Sequence, residues 1–447
     1  MATFHIWTLG CQMNQADSLK LAAGLETLGY RAVDDDAAAD LVVINTCSVR
    51  QHAEDRAYSR LGMLNKRRTQ GERLSIAVMG CMVGPKTADL ERRFPYVDAW
   101  ARPQQFDPIL ELAAGARDTS EGELGGLLDV VRGDGMTRTY GKPSGPTAYV
   151  PVIHGCDKFC TYCIVPLRRG REESRDPSDI LDEVRFLAAH GVREVTLLGQ
   201  TVEAYGHDLP ALPDGPRPDL ATLFEGIDDI DGIARVRFLT SYPKDMTDRI
   251  IDAVADQPKV CKYFNIPVQS GSNAMLDRMR RGYRVELFEE RVAKIRSRMP
   301  DAAIVTDVIV GCPGETDAEF QETVDLLERI GFDTVHVAAY SPRPGTFAYR
   351  QMEDDVPLAV KKARLQVIEG IHKASSERIN QTLLHQTVEV LVEQEQDGRV
   401  SGRTRRGQIV HFDAPGRLGD LVDVTVSQVT PWSAQGHLAD ELTLAVV

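Results

Sequence analysis

The chain has 447 residues, 43% hydrophobic and 26% charged, a globular balance that excludes disordered, collagen-like and coiled-coil classes. At roughly 150 residues per domain, about three domains are expected. With 52 Lys+Arg against 66 Asp+Glu the net charge is −14, which excludes a global polycation for nucleic acid but leaves room for a local basic face.

Taken in order, Phe4–Leu9 reads as a strand, Asp17–Leu28 as a helix closed by Gly29, and Leu41–Asn45 as an apolar strand. Arg50–Lys66 has helical periodicity and Leu74–Met79 is a third strand. Such alternation predicts an N-terminal parallel α/β sheet covered on both faces. The breaker-rich stretches Gly122–Gly126, Gly133–Gly135 and Gly141–Pro146 predict a linker and a boundary near residue 140. Six strands follow: Tyr149–Ile153, Glu194–Leu198, Val236–Thr240, Lys262–Pro267, Ile304–Val310 and Thr334–Ala339. Helices such as Pro177–Ala189, Met246–Ala255 and Asp317–Ile330 separate them, which predicts a central partial (β/α)6 barrel with its site at the C-terminal strand ends. Pro357–Thr382 reads as a long charged helix. Thr387–Val392, Gln408–Phe412, Leu421–Val426 and Leu442–Val446, with a turn at Asp397–Gly398, predict a small antiparallel β-barrel, a class that often binds RNA. Apolar runs such as Leu41–Ile44 and Ile304–Val310 are far shorter than the roughly 18 residues of a spanning helix. Met1 to Leu9 has no basic leader and no long apolar core, so a cytoplasmic protein is expected, with no signal peptide and no membrane.

Eight cysteines in a reducing compartment point to metal ligation, catalysis or burial rather than to disulfides. Cys156, Cys160 and Cys163 lie in one short loop just after a strand, at spacings of four and three. Three thiolates on a 4Fe-4S cluster leave one iron free for a small molecule, whereas structural zinc wants four protein ligands. A zinc knuckle with His154 or another cysteine as fourth ligand is the competing reading. Cys11, Cys47 and Cys81 each stand just beyond the C-terminal end of a parallel strand, with Gly10 and Gly80 allowing close approach. Strand ends on one sheet edge can bring three distant thiols together, although three unrelated buried thiols give the same pattern. Cys261 and Cys312 have no partner at ligand spacing and read as buried inert thiols.

The run His154-Gly155-Cys156-Asp157-Lys158-Phe159-Cys160-Thr161-Tyr162-Cys163 resembles the signature of the radical S-adenosylmethionine enzymes. Leu9-Gly10-Cys11-Gln12-Met13-Asn14, Asn45-Thr46-Cys47-Ser48-Val49-Arg50 and Met79-Gly80-Cys81-Met82 resemble the three N-terminal motifs of the methylthiotransferases within that family. Gly402-Arg403-Thr404-Arg405-Arg406 resembles part of that family's C-terminal RNA-binding, TRAM-like barrel. The resemblance covers nearly the whole chain, in the family's order. It implies a methylthiotransferase N-terminal domain over 1–120, a linker over 121–141, a radical core over 142–378 and a TRAM-like barrel over 379–447. It also implies two 4Fe-4S clusters, an auxiliary one on Cys11, Cys47 and Cys81 and a radical one on Cys156, Cys160 and Cys163. Two S-adenosylmethionine molecules would be used per turnover.

Tyr162 is then expected near the cofactor adenine, and Gly199 and Gln200 at its methionine amino group. Gln269 and Ser270 supply polar groups at the same strand-end edge. The branch most resembled acts on N6-isopentenyl adenosine at position 37 beside the tRNA anticodon, adding a methylthio group at carbon 2. Val165-Pro166-Leu167-Arg168 and Leu197-Leu198-Gly199-Gln200-Thr201-Val202 match that branch less well. The alternatives are the branches for threonylcarbamoyl adenosine and for a ribosomal-protein aspartate; from another class, a non-catalytic metal-containing RNA-binding protein. Expected partners are the tRNA anticodon stem-loop, an electron donor such as flavodoxin or ferredoxin, and a sulfur donor, with the chain a monomer. Arg168, Arg169, Arg171, Arg403, Arg405 and Arg406 are expected on RNA phosphates, while Lys66-Arg67-Arg68 reads as a solvated helix face.

Overall fold

The computed structural model describes residues 1–49, 51–116, 140–212, 215–396 and 398–439, which fall into two compact units. The first takes the described residues of Met1–Lys142 together with His154–Asp157 and Cys163–Arg171. The second takes Pro143–Ile153, Lys158–Tyr162 and the described residues from Glu172 onward. The chain thus returns twice to the first unit, and both returns lie around the Cys156–Cys163 loop.

The first unit alternates β1 (Thr3–Thr8), α1 (Gln12–Thr27), β2 (Arg31–Ala32), β3 (Leu41–Thr46), α2 (Gln51–Thr69), β4 (Ser75–Gly80), α3 (Ala88–Arg93), β5 (Ala99–Ala101) and α4 (Asp107–Gly115). Its sheet is parallel, in the order β2-β1-β3-β4-β5. β3 shows why its run is wholly apolar: Leu41 and Val43 pack with α1 and α4, and Val42 and Ile44 pack with α2. Each such buried side chain contributes about 1.5–3 kcal/mol. α1 starts five residues before the expected Asp17. Cys11 takes its N-cap position, and Met13 and Asn14 are buried against the sheet, so tertiary contacts extend a helix that hydrophobic period alone begins later. β2 and β5 are edge strands too short to show a period.

The second unit opens with β6 (Thr147–Pro151), followed by the two-residue β7 (Ile153–His154) and β8 (Glu173–Ser174). β9 (Glu194–Leu198) and β10 (Arg235–Leu239) extend β6 into one parallel sheet, and β11 (Tyr263–Asn265), β12 (Ala303–Val310) and β13 (Thr334–Ala339) form another. Bonds from Cys261 N to Val236 O (2.8 Å) and from Ser241 N to Asn265 O (3.0 Å) carry the row from β10 to β11. Six strands in chain order therefore make the open partial barrel, filled by Val150, Val195, Leu197, Phe238, Phe264 and Ile304. Helices Pro177–Ala189, Leu220–Asp228, Asp248–Asp256, Val285–Arg298 and Asp317–Ile330 join them. The last begins with a capping box in which Thr316 and Glu319 satisfy each other's backbone, worth about 1 kcal/mol.

Helix Leu358–Gln381 leads to a closed five-stranded barrel, β14 (Thr387–Gln396), β15 (Arg399–Thr404), β16 (Ile409–Asp413), β17 (Leu421–Val429) and β18 (Ala434–Leu438). Four of its pairings are antiparallel, as expected. The β16–β18 pairing is parallel and closes the ring. β15 and β18 were not foreseen, because their inward residues include Gly402, Thr404 and Ala434 rather than large apolar groups. The expected strand Leu442–Val446 lies outside the described residues.

Candidate functional site

In the first unit the three thiols leave adjacent strands at one edge. Thr8 is level with Asn45 across β1 and β3, and Thr46 is level with Gly80 across β3 and β4. Leu9 N bonds Asn45 O at 2.8 Å and Cys81 N bonds Thr46 O at 2.9 Å, so the register continues into the loops. Gly10, at φ +117°, sits where an added Cβ would lie 2.7 Å from the Cys47 Cβ. The Cys11 loop therefore rests directly on Cys47. Asn14 ties these loops together, its amide donating to Leu9 O (2.7 Å) and Thr46 O (2.8 Å). Cys47 and Cys81 are buried and Cys11 is exposed. Val49 N–H donates to the Cys47 sulfur at 3.4 Å.

Arg169, at the end of the short helix Val165–Arg169, belongs to the same unit. Its side chain is 3% exposed and donates to Asp17 (3.2 Å) and Asn14 (2.8 Å). Burial pushes the Cys81 thiol up, and the Arg169 charge beside it pulls the other way. Arg169 was expected on an RNA phosphate; its burial among Asn14, Asp17 and the thiols corrects that. Three thiols from one sheet edge, a backbone N–H aimed at sulfur and an adjacent cation fit an anionic metal–sulfur group. Among the described residues no three His, Cys, Asp or Glu side chains are gathered closely enough for a single metal ion.

Cys156 and Cys163 also belong to the first unit. Gly155 has φ +71°, and Cys156 N bonds Gly170 O at 3.1 Å. Asp157 pairs with the exposed Arg171 at 3.0 Å. Cys160 and Tyr162 belong to the second unit. There Lys158 pairs with Asp245 at 2.6 Å, and Thr161 N bonds Met279 O at 3.0 Å. Tyr162 packs against Met275, Met279, Cys312 and Tyr340. The buried Arg281 donates to the Cys160 sulfur at 3.4 Å and to the Tyr162 hydroxyl at 3.5 Å.

The C-terminal strand ends of the second unit carry buried polar atoms with no hydrogen-bond partner among the described residues: the side-chain oxygens of Gln200 and Gln269 and one carboxyl oxygen of Glu203. Thr240 (φ +70°) and Gln269 (φ +72°) hold left-handed backbone there, a strain of about 1–3 kcal/mol per residue of the kind found at ligand sites. Gly199 lies at the end of β9. Ser270, by contrast, is fully engaged, with Thr323 Oγ1 at 3.2 Å and Ser272 N at 3.2 Å. Unpartnered acceptors at this edge fit the amino group of a small ligand such as the methionine moiety of S-adenosylmethionine.

Burial pushes the Glu203 carboxyl up to about 8, against the Ser241 hydroxyl and the Tyr242 N–H, which favour its charged form. The folded chain thus holds a proton that the unfolded chain releases near pH 4.5. The associated stability is present below that pH and is lost as pH rises to about 8. Glu203→Gln should therefore melt progressively higher than the parent as pH goes from 5 to 9, measured by thermal denaturation; a constant difference would show that Glu203 does not titrate in this range.

The arginine-rich segment of the barrel is engaged within the second unit. Arg235 donates to Arg403 O at 2.7 Å, and Arg237 to Thr404 O at 2.7 Å and Arg405 O at 3.0 Å. Arg405 donates to Pro258 O and Val260 O, Arg406 pairs with Asp333 at 2.6 Å, and Arg403 pairs with Glu393. Carbonyls of the segment thus dock the barrel onto the start of β10, while the Arg403, Arg405 and Arg406 side chains are partnered yet remain 47%, 36% and 29% exposed. Arg168 is half-buried, with its Nε unpartnered. Sequence reasoning grouped Arg281 with Arg278, Arg280 and Arg284 as a basic cluster and gave it no place beside a thiol; it missed Glu203, although an acidic residue between Val202 and Ala204 was a usable signal.

Family models match three stretches: an uncharacterized protein family, UPF0004, over residues 3–102, the radical SAM superfamily over 150–327 and the TRAM domain over 381–439. A tRNA-2-methylthio-N(6)-dimethylallyladenosine synthase of Dehalococcoides mccartyi is 42% identical over 439 residues, covering 98% of this chain and 99% of the relative. The protein of the same name from Chloroflexus aurantiacus is 42% identical over 438 residues, covering 97% and 91%. Among solved structures, the radical S-adenosylmethionine methyltransferase TsrM from Kitasatospora setae, with cobalamin and a [4Fe-4S] cluster bound, aligns with TM-score 0.54 at 18% identity. It covers 78% of this chain and 77% of its own, a likeness of fold.

Proposed function

This chain belongs to the tRNA-2-methylthio-N(6)-dimethylallyladenosine synthase family of radical S-adenosylmethionine proteins, and from that premise we propose that it is the tRNA methylthiotransferase that adds a methylthio group to carbon 2 of N6-isopentenyl adenosine at position 37. The likeness to those relatives over nearly the full length of both chains carries the reading. Cys11, Cys47 and Cys81 would hold an auxiliary 4Fe-4S cluster, and Cys156, Cys160 and Cys163 the radical cluster. When bound, the clusters and S-adenosylmethionine supply the one-electron and sulfur chemistry that replaces an aromatic C–H bond, beyond the reach of any side-chain acid or base.

The protein's part is to bind and orient. Gln200 and Gln269 offer buried amide oxygens to the cofactor's amino group, Gly199 lets its backbone approach, and Tyr162 stands by the adenine. Residues 1–120 would carry sulfur handling, 142–378 the radical chemistry and 379–447 contact with the anticodon stem-loop. On the barrel, Arg403, Arg405 and Arg406 keep exposed surface beside their protein partners and would meet phosphates, as would a cavity of about 440 Å³ lined by Arg399, His411, Phe412, Asp413, Ser427, Gln428, Gln435 and Gly436; Arg168 and Arg171 would make phosphate contacts of their own on the first unit. The target base must leave its stack to react, which suits a flexible anticodon loop. No helix among the described residues is long and apolar enough to cross a membrane. A cytoplasmic monomer fed by a flavodoxin or ferredoxin and by a sulfur donor completes the proposal.

Two measurements test it. Anaerobic reconstitution should yield about eight irons per chain, for two 4Fe-4S clusters; one or two zincs instead would end the enzyme reading. Nucleoside mass spectrometry of tRNA from a deletion strain should show methylthio-isopentenyl adenosine lost and isopentenyl adenosine accumulated. Persistence of the methylthio nucleoside while another modification disappears would assign a different substrate.

A further inference from the structure

A guanidinium buried in protein needs an anion, because desolvation of an unpaired charge costs several kcal/mol. Arg281 is only 6% exposed, and among the described residues its hydrogen bonds reach no carboxylate. Nε donates to the Tyr283 hydroxyl (3.1 Å) and Nη2 to Pro267 O (3.1 Å), both neutral. The guanidinium carbon lies 4.8 Å from the Tyr242 ring centre and 5.2 Å from that of Tyr283. The remaining group, Nη1, points at the Cys160 sulfur (3.4 Å) and the Tyr162 hydroxyl (3.5 Å). Arg281 follows helix Asn273–Arg278, whose C-terminal end also carries the carbonyl partners of Thr161. The backbone that holds the cysteine loop and the cation that faces its sulfur therefore come from one short segment.

We propose that Arg281 is the built-in counter-charge of the radical cluster: a positioning residue that hydrogen-bonds the Cys160 thiolate, raises the potential at which the cluster accepts its electron, and fixes Tyr162. This rests on the assignment of Cys160 as a cluster ligand. A positive charge and an N–H···S bond both favour the more negative, reduced cluster, and hydrogen bonds to cluster sulfurs are an established means of setting such potentials. Only the difference in these interactions between the reduced and the oxidised cluster moves the potential, and a difference of about 1.4 kcal/mol is a tenfold change in the reduced-to-oxidised ratio at a fixed poise.

The test uses the full chain carrying Cys11→Ala, Cys47→Ala and Cys81→Ala, so that one cluster remains. About four irons per chain in this background checks the ligand assignment separately; its failure would refute that assignment before Arg281 is touched. Redox titration followed by electron paramagnetic resonance then compares Arg281→Gln, which is neutral but polar, with Arg281→Lys, which keeps the charge. Arg281→Gln should need a more negative poise, with a reduced-to-oxidised ratio roughly tenfold lower at the parent's midpoint, and Arg281→Lys should fall between the two. Equal midpoints for parent and Arg281→Gln would overturn the proposal. If Arg281→Gln does not fold, Arg281→Lys decides by melting with and without the cluster. It should keep most of the cluster-dependent rise in melting temperature; loss of that rise in a chain that still folds without the cluster would overturn the proposal.

Discussion

Replacing Cys160 by Ala should abolish S-adenosylmethionine cleavage, whereas replacing Cys47 by Ala should leave cleavage measurable and eliminate methylthio transfer. The two cysteines are placed by different means. Cys47 leaves β3 between the β1 and β4 loops, with Gly10 against its Cβ and the Val49 N–H on its sulfur. Cys160 sits in the second unit beside Arg281, among residues that also hold Thr161 and Tyr162. Losing one of three thiolates opens a second iron to solvent, and a cluster so exposed is readily lost. Loss at Cys160 removes the source of the radical, so 5′-deoxyadenosine should drop to the level without enzyme. Loss at Cys47 removes only sulfur handling, so 5′-deoxyadenosine should persist while the methylthio nucleoside falls below detection. Chromatography of 5′-deoxyadenosine and mass spectrometry of digested tRNA from the same reactions separate the cases. Methylthiolated tRNA from Cys47→Ala would show that the strand-end trio is not the sulfur site.

What the chain discloses before folding differs from one part to another. β9 and β13 occupy the residues expected of them, because each is a short apolar run bounded by a helix before and a turn after. That Cys11, Cys47 and Cys81 stand along one sheet edge was legible for a related reason: each follows a parallel strand, and parallel strands end on one edge. β15 was not legible, since Arg399-Val400-Ser401-Gly402-Arg403-Thr404 turns Gly402 and Thr404 inward with Val400 as its one large apolar residue and looks like a basic patch. The fates of Arg403 in it and of Arg405 and Arg406 just after it depend on Glu393, Pro258 and Asp333, up to 147 residues away in sequence. Arg169 and Arg281 fail in the same way. An arginine in a basic run has the composition of a surface residue, and nothing local says that a fold will bury it against Asp17 or Cys160. The partition of the cysteine loop between two units is equally non-local, because it reflects which neighbours each few residues meet.

Gly155→Ala should cost the chain its radical cluster while leaving the auxiliary thiols in place. At φ +71° the residue lies in the left-handed region, where a Cβ costs about 1–2 kcal/mol. Space is a second obstacle, since that Cβ would lie 1.8 Å from Arg171 O, a backbone atom that cannot swing aside. The return segment Gly170–Arg171 would have to move, and with it the Gly170 carbonyl that accepts from Cys156 N. Overpacking of this kind adds about 1–3 kcal/mol, charged to the loop that must bring Cys156 level with its partners. Iron should therefore fall from about eight to about four per chain, and cofactor cleavage should be lost with it. Gly62→Ala is the control: Gly62 lies within α2 with nothing within 4 Å of an added Cβ, and Ala there should stabilise by up to about 1 kcal/mol. Iron analysis and 5′-deoxyadenosine formation on both variants decide the matter, and full iron with normal cleavage in Gly155→Ala would mean that the loop closes by a route other than the tight Gly155–Arg171 crossing.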